Sequence, residues 1–334
     1  MMKPVFISGS SDDITDVPGL KVGHWTDLDA VTGCTVILCE QGPLAAVDVR
    51  GGAPATHELG ALSASSLIQR CHAILFTGGS AFGLESASGA AQFLSEHEIG
   101  FETRVRHVPI IPSAAIFDLG IGSNDVSPGV LEGYKAAQVA SSGFLEQGSV
   151  GAGTGATIAK FAGPERSLKG GVGSASLIGP NGIVVACLVV TNALGSIYDS
   201  STGEIIAAPR NADGRYLSLE DALSINSNFV EDSRQNTTLV CVATNASLSH
   251  MQVQRLTVHA HDGLARAISP VHTLGDGDIA FSLATCEKEL GDEYLLTLAI
   301  MTTSVVERAI IKSVQRATTI AEIPSVRDWV SSKT

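Results

Sequence analysis

The chain has 334 residues, 44% apolar, 16% charged and 5% aromatic, with a formal net charge of −13. That composition supplies a large core, and its negative field repels phosphate backbones, so no nucleic-acid partner is expected. The longest aliphatic run, Ile183 to Val190, is far short of the roughly 20 residues that span a bilayer, so no membrane association is expected either.

The first residues, Met-Met-Lys-Pro-Val-Phe, lack signal-peptide architecture, and residues 1–13 read as a loose tail. Cys34, Cys39, Cys71, Cys187, Cys241 and Cys286 form no Cys-x-x-Cys pair and sit mostly in apolar surroundings, which reads as reduced thiols of a cytoplasmic protein. Pro18-Gly19, between Ile14-Thr-Asp-Val17 and Leu20-Lys-Val-Gly-His24, predicts a turn joining two strands. Strands follow at 33–39 and 45–50, where Asp48 and Arg50 share a face and suit an ion pair. Gly51-Gly52 ends the second strand and permits a reversal.

A buried-type strand at 72–77 leads through Gly78-Gly79 to Ser80, a good N-cap for a helix of small residues over 81–94. The glycine pair lacks the spacing of a nucleotide fingerprint. Residues 108–119 are extended and punctuated by Pro109 and Pro112, which suggests an edge or site-lining strand ending at Phe117. A helix is plausible over 128–141. The stretch 148–155 then holds four glycines in eight residues, where backbone shape matters more than side chains. Exposed amides in such a loop suit an oxyanion site or simply a sharp corner. Lys160, just beyond it, reads on its own as a solvated lysine.

An apolar strand over 182–191 ends at Asn192, equally a turn residue and a fixed amide donor. Residues 199–233 are hydrophilic and read as a long exposed loop with a short helix at 218–223. That loop leads to Asn236-Thr237-Thr238 and the buried-type strand Leu239-Val-Cys-Val-Ala243. Cutting the Asn236–Thr237 bond would give Thr237 an α-amine beside its own hydroxyl, an amine whose unperturbed pKa of about 7.7–8.0 suits a base near neutrality. Taken alone, Thr237 reads instead as a β-favouring residue starting a strand.

Ser249 and Gln252 form a capping box ahead of Leu256, Ala260, Leu264 and Ile268, with Pro270 as the stop. His259 and His261 fall on different faces of that helix and cannot chelate one metal. Asp276-Gly277-Asp278 precedes a strand; its paired carboxylates could orient an amine or share a proton, or mark an ordinary turn. A last helix is expected from Tyr294 to Ala317. No repeat or domain boundary appears. A layered α/β sandwich, two sheets enclosed by helices, suits this irregular alternation better than a doubly wound nucleotide fold.

Nearly end to end, the chain resembles the L-aminopeptidase/D-amidase-esterase family, which includes the β-aminopeptidases and the nylon-oligomer (6-aminohexanoate-oligomer) endohydrolase. The likeness rests on Gly19-Leu-Lys-Val-Gly-His24, Gly33-Cys-Thr-Val36, Val47-Asp-Val-Arg-Gly-Gly-Ala-Pro54, Thr77-Gly-Gly-Ser-Ala-Phe-Gly-Leu84 and Val108-Pro-Ile-Ile-Pro112. It continues through Gly151-Ala-Gly-Thr-Gly-Ala156, Lys169-Gly-Gly-Val-Gly-Ser-Ala175, Asn236-Thr-Thr and Asp276-Gly-Asp278.

The resemblance implies one N-terminal-nucleophile-like domain, a four-layer α-β-β-α sandwich cut into fragments 1–236 and 237–334 and assembled as a homo-oligomer. No cofactor or metal is implied. Thr237 would be the nucleophile and new amino terminus, with Asn236 ending the large fragment. Asp276 and Asp278 would hold the nucleophile and its amine, Asn192 would polarise the scissile carbonyl, and Lys160 would lie near the nucleophile. The Asp-Gly-Asp form is similar to the nylon-oligomer branch. Phe117 stands where several members carry a tyrosine, so a site hydrogen-bond donor is missing there. The expected activity is release of amino-terminal residues from short peptides, amides or esters. Acyl transfer like that of ornithine acetyltransferases is the alternative, but their Lys-Gly-x-Gly-Met signature is absent ahead of the threonine. An uncleaved, non-catalytic binding protein of the same fold is the other.

Overall fold

A computed structural model describes residues 6–225 and 236–331. Ten strands build its two central sheets: β1 (Lys21–Asp27), β2 (Thr32–Leu38), β3 (Leu44–Val49), β4 (Ala55–His57), β5 (Ala73–Thr77), β6 (Ser113–Ala115), β7 (Gly171–Ile178), β8 (Val184–Asn192), β9 (Thr237–Ala246) and β10 (Ile279–Lys288). One sheet runs β1-β2-β5-β6-β4 and the other β7-β8-β9-β10-β3. Helices α1 (Ser86–Glu96) and α2 (Val130–Gln138) cover the first, while α3 (His250–Ala267) and α4 (Leu295–Gln315) cover the second.

Three apolar layers hold this α-β-β-α sandwich together. Ile37, Phe76, Leu188, Leu239 and Phe281 fill the space between the sheets, with the two phenyl rings 5.9 Å apart. Leu256, Leu264, Val305 and Ile310 seal α3 and α4 onto the second sheet. Leu75, Ala90, Leu94 and Ala136 join α1 and α2 to the first. Each large aliphatic group buried this way contributes about 1.5–3 kcal/mol.

β9 occupies the middle of its sheet, and all ten of its residues are buried. It pairs antiparallel with β8, placing Asn192 opposite Thr237, and parallel with β10 from Leu239 opposite Ile279. Buried on both faces, it reads as the near-continuous apolar run seen in the sequence.

Several local expectations change. Of the expected loose tail 1–13, residues 1–5 lie outside the described residues and 6–13 are held: Ile7 bridges Ile178, and Asp12 takes ion pairs from Arg308 at 2.9 Å and Lys312 at 2.7 Å. Residues 14–16 form a 3₁₀ turn capped by Asp13, not a strand, because that carboxylate accepts the Thr15 N–H. Ser80 caps nothing: it lies inside the short helix Ser80–Gly83 at φ 53°, after a left-handed Gly79. β6 is interior rather than an edge, flanked by β5 and by the earlier strand β4, which takes the edge, while Phe117 just beyond it lines a cleft. The stretch from 199 carries an unexpected strand, Glu204–Ala207, along with the expected short helix, found at Leu219–Ile225, and the end of the expected loop, 226–233, lies outside the described residues.

Two further readings, an ion pair and a capping box, agree with the structure. Arg50 and Asp48 pair at 3.0 Å, and the Ser249–Gln252 capping box is formed. His259 contacts Asp262 on its own helix, while His261 contacts the Asp48 carbonyl of β3. No helix of the described residues is long and apolar enough to cross a membrane.

Candidate active site

Thr237 opens β9 and is 5% exposed. Its hydroxyl donates to the Asn236 carbonyl at 2.5 Å, and the same carbonyl accepts the Gly277 N–H at 2.8 Å. The peptide bond before Thr237 thus lies between a hydroxyl and a backbone donor of the Asp276-Gly277-Asp278 turn. Gly277 is required by space, since a Cβ there would stand 2.7 Å from Thr237 Oγ1.

The turn is fixed from the end of β3. Arg50 and Gly51 N–H groups donate to the Asp278 carbonyl, and Ala53 N–H donates to that of Asp276. A Cβ on Gly51 would come within 2.3 Å of the Asp276 carbonyl oxygen and the Asp278 nitrogen. Close approach, rather than a tight reversal, is what that glycine provides.

The two carboxylates differ in their partners. Asp278 accepts the Thr238 N–H at 2.6 Å through one oxygen, and through the other the backbone N–H and the Nδ1 of His272 at 3.0 and 2.8 Å. In the continuous chain it therefore grips the residue after Thr237. Asp276 accepts the Thr273 N–H at 2.7 Å through Oδ2, while buried Oδ1 has no hydrogen-bond partner among the described residues. Burial, and then the neighbouring Asp278, raises its pKa to about 6.

Across the strand pair, Asn192 Oδ1 accepts the Thr157 N–H at 3.0 Å and Lys160 Nζ at 2.9 Å. Its amide nitrogen donates to the Phe117 carbonyl at 3.2 Å. Lys160 is not a solvated lysine: Nζ also donates to the Asn192 carbonyl at 3.0 Å, and desolvation lowers its pKa to about 7. Phe117 and Lys160 line a cleft of about 180 Å³ together with Asp118, Ile121, Thr157 and Pro164. The predicted residues thus form two neighbouring groups. Thr237, Asn236 and the Asp276–Asp278 turn make one; Asn192, Lys160 and Phe117 make the other, joined to the first by the Asn192–Thr237 register.

Sequence reasoning assigned no role to Asp118, Lys169, His272 or the Gly277 N–H. Asp118 is 3% exposed, accepts the Gly79 N–H at 2.6 Å and the Thr32 hydroxyl at 2.9 Å, and burial raises its pKa. Lys169 is wholly buried and donates to the Thr154 and Ala156 carbonyls at 2.6 and 2.7 Å. A cation inside the Gly-rich run at 168–175 is the available signal for Lys169. The other three had none in the sequence.

This architecture is shared with known hydrolases. The solved L-aminopeptidase D-Ala-esterase/amidase of Ochrobactrum anthropi, described as a variant of the Ntn hydrolase fold, superposes with TM-score 0.70 over 93% of this chain and 88% of its own, at 19% identity. A Burkholderia β-aminopeptidase superposes at 0.69 over 99% and 96%, with 21% identity. By sequence, an uncharacterised aminopeptidase of Mycobacterium leprae is 36% identical over 84% of this chain and 80% of its own. A 6-aminohexanoate-oligomer endohydrolase of a Kocuria strain is 29% identical over 86% and 79%. Residues 12–325 match the model of peptidase family S58. The chain belongs to that family, and it is an aminopeptidase- or amidase-type hydrolase of peptide and amide bonds.

Proposed function

We propose that the chain cuts itself between Asn236 and Thr237, and that Thr237 then serves as the nucleophile of an aminopeptidase acting on short peptides, amides or esters. The observation that carries this is the seating of the Asn236 carbonyl between the Thr237 hydroxyl, at 2.5 Å, and the Gly277 N–H, at 2.8 Å. Thr237 Oγ attacks the Asn236 carbonyl carbon, and the Gly277 N–H supports the oxyanion. The C–N bond breaks, the amine leaves with a proton, and water hydrolyses the resulting ester to the Asn236 carboxylate and a free Thr237.

In the mature enzyme the Thr237 amine takes the proton from its own hydroxyl as that oxygen attacks a substrate carbonyl. Asn192, oriented by Thr157 and Lys160, supports the developing oxyanion together with backbone donors, and water clears the acyl-enzyme. Asp276 and Asp278 keep the amine placed. The fragments remain associated because β9, now carrying the new terminus, stays buried between β8 and β10. We extend the reading to a homo-oligomer of cleaved heterodimers in the cytoplasm, needing no cofactor.

The test is a time course of freshly translated or refolded protein on denaturing gels, set against turnover of L-alanine para-nitroanilide. Activity should grow in step with the fragments, and activity that precedes cleavage would contradict the proposal.

A pH dependence follows from Asp276. In the uncut chain burial and Asp278 raise the Asp276 pKa to about 6, and once protonated its carboxyl can no longer accept from the Thr237 amine. Turnover should fall as Asp276 takes up its proton, at or below about pH 6 because the new Thr237 ammonium opposes that protonation, and Asp276→Asn should lower the rate while flattening that limb. An unchanged limb in the variant would assign the titration to another group.

The cleft predicts selectivity. Phe117, Ile121 and Pro164 give it an apolar wall, so it should favour substrates with aliphatic or aromatic groups at the scissile amide. Phe117→Tyr adds a hydroxyl there, and an unpaired buried hydroxyl costs about 1–3 kcal/mol. KM for apolar substrates should rise about fivefold or more with kcat held. Equal parameters across apolar and charged substrates would place Phe117 outside the substrate's reach.

A further inference from the structure

We infer that Lys169 is a positioning residue for Asn192, acting through the backbone of residues 154–157. This rests on the proposed role of Asn192 at the oxyanion. Lys169 lies on the short strand Leu168–Lys169, which pairs antiparallel with Thr157–Ile158 and sets Lys169 opposite Thr157. Its ammonium donates to the carbonyls of Thr154 and Ala156 at 2.6 and 2.7 Å, and the Gly170 N–H adds a second bond to Ala156 at 2.9 Å. The peptide unit whose carbonyl is anchored at Ala156 carries the N–H of Thr157, which meets Asn192 Oδ1 at 3.0 Å.

That contact decides which way the Asn192 amide faces. The two ends of a carboxamide are nearly the same shape, so only hydrogen bonding distinguishes them. Two donors, Thr157 N–H and Lys160 Nζ, hold the oxygen on one side, and the nitrogen consequently points to the Phe117 carbonyl at 3.2 Å. Moving residues 154–157 would release the first of these donors and let the amide tilt or flip, turning an oxygen toward a developing negative charge.

The choice of lysine supports a role beyond packing. A buried ammonium carries a desolvation penalty that an apolar side chain of similar volume avoids. Lys169 is wholly buried all the same, and the opposite charge that favours its ammonium belongs to Asp118, the residue after Phe117. A lysine can bind two carbonyls that converge on one point, which methionine cannot. Lys169 and Asp118 thus brace the two backbone segments that touch the Asn192 side chain.

The test is a double-mutant cycle on the full chain between Lys169→Met and Asn192→Ala. It is read as the half-time of chain scission and, for cleaved protein, as kcat and KM on L-alanine para-nitroanilide. Because Lys169→Met removes a buried cation whose charge acts on Asp118 and is prone to misfold, Lys169→Met with Asp118→Asn is made in parallel as the charge-balanced form. A site group misplaced by about 1 Å loses on the order of 10² in rate. In the Asn192 background the lysine substitution should lower kcat at least tenfold with KM changed less than about twofold. In the Asn192→Ala background it should change kcat by less than about twofold. Equal losses in both backgrounds, or none in either, would overturn the inference while leaving the role of Asn192 intact. Wild-type rates in Asn192→Ala alone would instead remove the role of Asn192, and the inference with it.

Discussion

Thr237→Ala should accumulate as one uncut chain with no measurable amide hydrolysis, a loss on the order of 10⁴–10⁶ in kcat, as expected when a nucleophile is removed. The fold should survive, because Thr237 is only the first residue of a strand whose apolar body, Leu239 to Ala243, is untouched. Thr237→Ser retains the hydroxyl and should still cut. Near-UV circular dichroism separates a folded, inert Thr237→Ala chain from a misfolded one. A cut and active alanine variant would mean that the hydroxyl lying 2.5 Å from the Asn236 carbonyl is not the attacking group.

The second large effect belongs to Gly277. Its backbone is not left-handed, so alanine meets no conformational penalty there. The added Cβ would nevertheless stand 2.7 Å from Thr237 Oγ1 and 3.1 Å from the Ala53 carbonyl oxygen. The hydroxyl can yield by rotating, and that rotation takes it off the Asn236 carbonyl; the strained turn also shifts the Gly277 N–H. Losing one oxyanion donor costs about 10²–10³ in rate, so Gly277→Ala should slow scission by at least that factor. The melting temperature should move only a few degrees, since one surface of one turn is disturbed. Wild-type scission in this variant would show that the contact between the turn and the nucleophile is incidental.

The sequence made the architecture legible where one element dictates its own shape. The apolar runs of β5, β8 and β9 and the capping box of α3 are local signals, and each lies where the pattern placed it. Contacts between distant segments were not legible in the same way. Asp12 and Asp13 look like solvated tail residues until Arg308 and Lys312, in α4, fold over Asp12. The Gly51 requirement appears only when β3 is laid against the Asp276–Asp278 turn.

The candidate site divides similarly. Thr237 and the Asp-Gly-Asp turn stand in the sequence as polar groups at the mouths of buried strands, and only the family resemblance gives them site roles. Asp278 bonding Thr238 and His272, or Lys169 bracing residues 154–157, depends on side chains meeting across the sandwich. Lys160 was misread from sequence alone because its partner, Asn192, is 32 residues away.

The most direct test of the central claim is intact-mass measurement with amino-terminal sequencing of the purified wild-type protein, run beside an amide-hydrolysis assay. Self-processing through Thr237 predicts two masses corresponding to 1–236 and 237–334, the smaller beginning Thr-Thr-Leu-Val, eluting together under native conditions. A single uncut chain that hydrolyses amides at full rate would contradict it.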